Sequence, residues 1–233
     1  GAIAAFLQPI SGDLSAKDVA ERQPVKLAAM EAHYETQKDA PLYIGGIVDE
    51  ESRTVSNKIE IPKALSFLAF GDFNAEVKGL NDFPDDELPP VAIVHYAFQT
   101  MVGIGTLLMF AGLIYFISLR KKNWLQNKYY WLLFIAVAPL GFVAIEAGWI
   151  VTEVGRQPWI IHQIMRTEDA VTPMPGMKYS FFYYLFLYTV LAITVTWLMN
   201  RQIRSLNRET AEEKVKNTSE KNFKPTGGNK SKD

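Results

Sequence analysis

The chain has no cysteine and only three histidines, His33, His95 and His162, among its 233 residues. Without thiols there is no disulfide, no thiolate metal site and no c-type haem attachment. Haem held through other side chains stays open. Neither sign of charge is in excess: 24 Lys and Arg against 25 Asp and Glu give a formal net charge of -1, so bulk charge points to no nucleic acid and no acidic partner. No internal repeat is visible, and no basic n-region precedes the apolar stretch Ala2 to Ile10. Residues 1–11 are expected to be the end of a preceding membrane helix.

What is present is strongly segregated. The apolar residues gather in the second half, where three stretches exceed the roughly 20 residues a bilayer requires: about Val91 to Leu119, Tyr129 to Thr152 and Tyr179 to Asn200. Arg120, Lys121, Lys122 and Lys128 lie between the first two, and Arg201, Arg204 and Arg208 follow the third. Positive residues stay on the cytoplasmic side. The loop from Glu153 to Lys178 is therefore expected outside, as is the segment 12–90, and the C-terminus inside.

Segment 12–90 is not low in complexity. Ser15 to Glu35 carries helix formers on both sides of Pro24, which predicts two short helices with a break there. Gly45-Gly46 marks a turn, and "DFPDDELPP" (Asp82 to Pro90) reads as a rigid acidic linker. From Glu209 hardly an apolar residue remains, so the tail within 201–233 is expected to be largely disordered.

The charges inside the membrane stretches are the informative ones. Glu146 lies within the second span and Glu153 at its outer end, seven residues apart and so on one helical face. A buried ionisable group in a bilayer costs roughly 2.5 to 3.5 kcal/mol on insertion scales and normally serves a function. For Glu153 the plainer alternative is an interfacial acid paired with Arg156. On the first span Met101 falls in the outer half. Gly103 and Gly105 strip bulk beside it, which suits a close helix neighbour or a flat macrocycle.

Three blocks, "GDLSAKDVAERQPVKLAAMEAHYET", "FQTMVG" and "EAGWIVTEVGRQPW", occur in an order and spacing that resemble subunit I of cytochrome bd quinol oxidase. The last block is the most specific. The resemblance covers nearly the whole chain but only the C-terminal portion of that subunit.

The resemblance implies roles at matching positions. Lys26 and Glu31, in the "KLAAME" run, would serve quinol oxidation in an outer loop, with Glu31 as a base for a quinol hydroxyl. Met101 would be an axial ligand of a low-spin haem b, and Glu153 a ligand of a high-spin haem iron. Trp149 would stack near a haem, Arg156 would pair with a propionate or carboxylate, and Glu146 belongs to the start of the same block. Gln99 stands where many members carry arginine, which would place an amide rather than a cation beside the low-spin haem.

The fold class expected is therefore all-α: an integral membrane bundle with three transmembrane helices and an N-terminal extracytoplasmic quinol-loop segment (12–90), then the membrane region 91–200. The implied function is electron transfer from quinol, through haem b, to a high-spin pair carrying haem d or b, where dioxygen becomes water. Implied partners are the N-terminal half of subunit I, subunit II and membrane lipid, in a bacterial or archaeal cytoplasmic membrane. The isolated chain is expected to be inactive, because the histidine ligands belong to the other half. Two other readings stay open: a haem-free assembly or scaffold remnant, and a proton-coupled transporter using Glu146.

Overall fold

The computed structural model describes residues 1–171 and 173–222, and only the backbone of Lys122, Asn207 and 209–222. Residues 1–171 form one compact unit. It begins with α1 (Ala2–Arg22), a single helix that runs through Pro9. The expected boundary between a membrane-helix end at 1–11 and a separate short helix from Ser15 is therefore not a break. Packing holds the N-terminal turns in line: Phe6 meets Phe116 at 5.9 Å between ring centroids, and Ala2 lies 3.5 Å from where a Cβ on Gly112 would stand.

The break at Pro24 is where proline chemistry puts it. A residue before proline is driven out of the helical region, and Gln23 has φ -137. Pro24 then opens α2 (Pro24–Glu31), where its missing N–H costs nothing. Ala32 closes α2 in the left-handed region at φ 48, turning the chain sharply.

Six short strands follow: β1 (Gln37–Lys38), β2 (Leu42–Ile44), β3 (Ile47–Asp49), β4 (Thr54–Ser56), β5 (Ile59–Ile61) and, after the helix α3 (Ala64–Phe70), β6 (Glu76–Val77). They pair antiparallel as nested hairpins, β3 with β4 inside β2 with β5 inside β1 with β6. Two helices alone therefore do not account for this segment. Its strands are too short to show an alternating pattern in the sequence. Ala20, Leu27, Ala40, Leu65, Ala69 and Val77 form a small core joining α1, α2, α3 and the outermost strand pair. Ser66 ties it off, accepting from the Ala40 amide and donating to the Ala75 carbonyl, each at 2.8 Å.

Membrane-length helices come next. α4 (Val91–Arg120) is unbroken, but the second expected span is two helices, α5 (Lys128–Val137) and α6 (Leu140–Val154), meeting at Ala138 and Pro139. Proline has no N–H to continue the ladder. Buried Ser118 and Tyr130 share a 2.8 Å hydrogen bond between α4 and α5, and the apolar face of α6 packs on α4. A last hairpin, β7 (Trp159–Ile161) with β8 (Met165–Arg166), closes the unit. The second unit contains α7 (Met177–Asn222). Three stretches, Val91–Arg120, Lys128–Val154 and Met177–Leu206, are long and apolar enough to cross a membrane. The protein is mostly helical, as expected, with the strand pairs added. α7 continues as helix past Glu209, where disorder was expected to set in, because Glu, Lys and Ala are strong helix formers. The part of the expected disordered tail at 223–233 lies outside the described residues.

Candidate functional site

The site is built where α2 meets the end of α6. Ala147, Val151 and Gly155 bury one face of α6, and the opposite face carries Glu146, Trp149 and Glu153. Trp149 is 64 % exposed within this chain. The helix is thus two-sided, with two carboxylates and an indole on the face left exposed. Glu146 and Glu153 do share it, as their spacing implies.

Two glycines set how closely the helices approach. A Cβ on Gly148 would stand 3.0 Å from the Met101 sulfur, so the thioether lies in the seam between α4 and α6. Gly105, one turn along from Met101, has nothing within 4 Å of its Cβ position, and neither has Gly103. Gly155 is tighter: a Cβ there would meet the Val151 carbonyl oxygen at 2.4 Å and both Lys26 Cε and Val94 Cγ1 at 3.3 Å. Gly155 thereby lets Lys26 reach the end of α6.

Lys26 consequently joins a charged group that the sequence blocks keep apart. Arg156 pairs with Glu153, three residues earlier, which is the interfacial pairing weighed for Glu153. Burial first, then the Arg156 guanidinium, hold the Lys26 ammonium below its ordinary pKa, and the Glu153 carboxylate offsets part of this. A cavity of about 180 Å³ opens here, with Lys26, Glu87, Arg156, Gln157, Trp159 and His162 in its walls. Two buried donors beside it, Arg156 Nε and Trp159 Nε1, have no partner. Unpaired buried donors are costly and suit an anionic or hydroxylic ligand.

Glu31 is elsewhere. Five residues beyond Lys26, it points about 140° away round α2 by helical geometry of about 3.6 residues per turn. It is buried, its Oε2 has no partner, and burial raises its pKa to about 8. It does not line the cavity that Lys26 lines.

Gln99 does not turn towards Met101. Its Nε2 donates to the Tyr43 carbonyl at 2.9 Å and its Oε1 accepts from the Gly45 amide at 3.4 Å. Tyr96 accepts from the Val48 amide at 3.0 Å, and Glu50 accepts from the Ala92 amide at 2.6 Å. Positions 92, 96 and 99 share one face of α4, so the β2–β3 stretch is fastened along its first three turns. The Gln99 amide is thus bonded to the backbone of this stretch. The short strands it holds leave no periodic signal from which the contact was legible.

The described residues contain no cluster of three His, Cys, Asp or Glu side chains able to hold a metal ion. Single ligands from separate helices are what the chain offers, Met101 on α4 and Glu153 on α6. The open Gly105 position one turn from Met101, the outward carboxylate and the unpaired Arg156 Nε fit an anionic macrocycle.

The family model for cytochrome bd terminal oxidase subunit I matches residues 1–207. The chain belongs to that family. It is 40 % identical over 203 residues to a Bacillus subtilis (strain 168) protein assigned as subunit I of a cytochrome bd menaquinol oxidase, covering 85 % of this chain and 45 % of the relative. It is 32 % identical over 208 residues to the cytochrome bd ubiquinol oxidase subunit 1 of the same organism, covering 84 % and 44 %. The structure of bd oxidase from Geobacillus thermodenitrificans superposes with a TM-score of 0.76 at 41 % identity, over 87 % of this chain and 46 % of that one. The chain spans about half the length of these relatives. As a member of the bd oxidase subunit I family with three apolar spans it is a multi-pass membrane protein.

Proposed function

We propose that this chain supplies the quinol-oxidising segment and part of the haem-binding helices of a bd-type terminal oxidase, assembled with the remaining half of subunit I and with subunit II. The supporting observation is the junction itself: Lys26 from α2 and Arg156, just beyond α6, line one cavity, and Arg156 pairs with Glu153. Segment 12–90 lies on the extracytoplasmic side in this reading, with the basic residues after α4 and in α7 on the cytoplasmic side. The membrane is the bacterial cytoplasmic membrane.

The haems, low-spin and high-spin b with d or b at the oxygen site, supply one-electron transfer and dioxygen reduction when bound. The chain's own residues do the rest. Met101 offers a thioether to the low-spin iron, which the glycines on α4 leave approachable. Glu153 offers a carboxylate on the outward face of α6 to a high-spin iron, with Arg156 steadying it and presenting its free Nε to a propionate. Trp149, exposed on the same face, would lie against a bound haem, and Glu146 on that face would hold an exchangeable proton for the chemistry such a haem supplies. On the outer side Lys26, its charge pressed by Arg156, donates to a quinol oxygen, and Glu31 takes the quinol proton. A group with a pKa about 8 is ionised often enough near neutrality to act as a base.

The test is a haem spectrum and quinol-driven oxygen uptake of the assembled complex, wild type and Met101→Leu. Loss of the low-spin signal in the variant supports the reading. A complex without haem makes the chain a scaffold remnant.

A further inference from the structure

Four side chains around the C-terminal turn of α2 are more than nine-tenths buried and carry polar atoms without partners: Glu31 Oε2, both ring nitrogens of His33, the Tyr34 hydroxyl and His95 Nε2. Leaving such groups unpaired costs about 1–3 kcal/mol each, and the surroundings are apolar: Ala28, Ala29, Val55, Leu80 and Val94. The turn places Glu31 and His33 on either side of one left-handed residue. Ala32, in the left-handed region at φ 48, reverses the chain between Glu31 and His33. His95 reaches in from α4 and shares a 2.9 Å hydrogen bond with the Met30 carbonyl. A carbonyl only accepts, so Nδ1 carries the proton.

We propose that this pocket is the proton exit of quinol oxidation, in which His33 accepts the proton from Glu31 and passes it to the outer surface. The proposal rests on the reading of Glu31 as the base for quinol. A quinol O–H bond breaks, a Glu31 O–H bond forms, and the electrons leave through the haems. The Glu31 proton then bonds to one ring nitrogen of His33 while the proton on its other nitrogen departs outward, and a flip of the ring returns a bare nitrogen to Glu31 before the next transit. Two such transits restore the balance for each quinol that loses two protons and two electrons.

His33 is better placed than its neighbours for this step. Its ring centroid is 6.3 Å from that of Tyr43, over which Lys58 Nζ stands at 3.6 Å, and Lys58 pairs with exposed Glu60 at 3.1 Å. Two side chains, Tyr43 and Lys58, therefore link it to a surface carboxylate. Burial, then the Lys58 charge, bring its pKa down to about 4, so the imidazole is neutral and relays by gaining at one nitrogen and losing at the other. Tyr34 faces Asp49, Glu50, Arg53 and Tyr96, and burial followed by the Glu50 charge pushes its phenol up to about 12, which makes it a poor donor.

The experiment uses the assembled oxidase with His33→Gln, His33→Ala, Tyr34→Phe and Glu31→Gln. In His33→Gln, kcat should fall roughly a hundredfold, with the KM for quinol and the haem spectra unchanged and a larger solvent deuterium isotope effect. Imidazole added to His33→Ala should restore part of the rate. His33→Gln decides if His33→Ala does not assemble, and a purely structural role would lower thermal stability without changing the isotope effect. Unchanged kcat and isotope effect in His33→Gln overturn the relay. If Glu31→Gln is then inactive, the quinol assignment stands and only the exit is wrong; if Glu31→Gln is also normal, the quinol assignment itself has failed. A loss confined to Tyr34→Phe moves the exit to the phenol and overturns the role of His33.

Discussion

The Met101 sulfur rests against Gly148, where an added Cβ would lie 3.0 Å away. The proposed haem ligand on α4 thus depends on a missing side chain on α6. Gly148→Ala should push the thioether aside by a few tenths of an ångström, shifting the low-spin haem band and potential and costing roughly 1 kcal/mol or more through overpacking. Met101→Leu should abolish the low-spin signal outright. Identical low-spin spectra in both variants would remove Met101 from the ligands.

At the junction cavity, Lys26→Ala should raise the KM for quinol and lower turnover with haem spectra intact. Glu153→Gln keeps shape and hydrogen bonding but removes the anion, so it should perturb the high-spin bands and oxygen reduction while quinol still reduces the low-spin haem. Arg156→Gln should give a milder form of the same defect. Normal oxygen uptake and high-spin bands in Glu153→Gln would leave Glu153 as an interfacial acid paired with Arg156.

Gln99 makes two hydrogen bonds to the backbone at Tyr43 and Gly45. Gln99→Leu should free that stretch, seen as faster amide exchange over 43–48, and weaken quinol binding with little change in haem potential. A large potential shift with unchanged exchange would return Gln99 to the haem.

Glu31 and His33 should pull stability in opposite directions with pH. Glu31 keeps its proton in the folded protein up to about 8 against a usual 4.5, so its contribution is full below 4.5 and is lost as pH rises to about 8. His33 has its pKa lowered from 6.5 to about 4, so its contribution is present above 6.5 and is lost on acidification towards 4. In thermal unfolding, Glu31→Gln should gain on the wild type as pH rises through the first window, and His33→Gln as pH falls through the second. Parallel curves for wild type and variants would contradict this burial.

The three apolar stretches, the break at Pro24 and the shared face of Glu146 and Glu153 were all legible in the sequence. Each is local: span length, the missing proline N–H and a seven-residue spacing act within one element. The motif blocks likewise carried the family, because they are contiguous. The nested hairpins were not legible, since strands of two or three residues leave no period.

What the sequence by itself determined is the set of membrane helices and the residues available to cofactor and quinol. Only the tertiary structure decided which of them meet. Lys26 and Arg156 lie 130 positions apart in the chain, and they come together because Gly155 has no side chain to keep α2 from the end of α6. Lys26 and Glu31, five positions apart, are turned to different surroundings by the pitch of the helix they share. Sequence distance fixes neighbours along an element, whereas burial, close backbone approach and the field of distant charges exist only once the elements have packed.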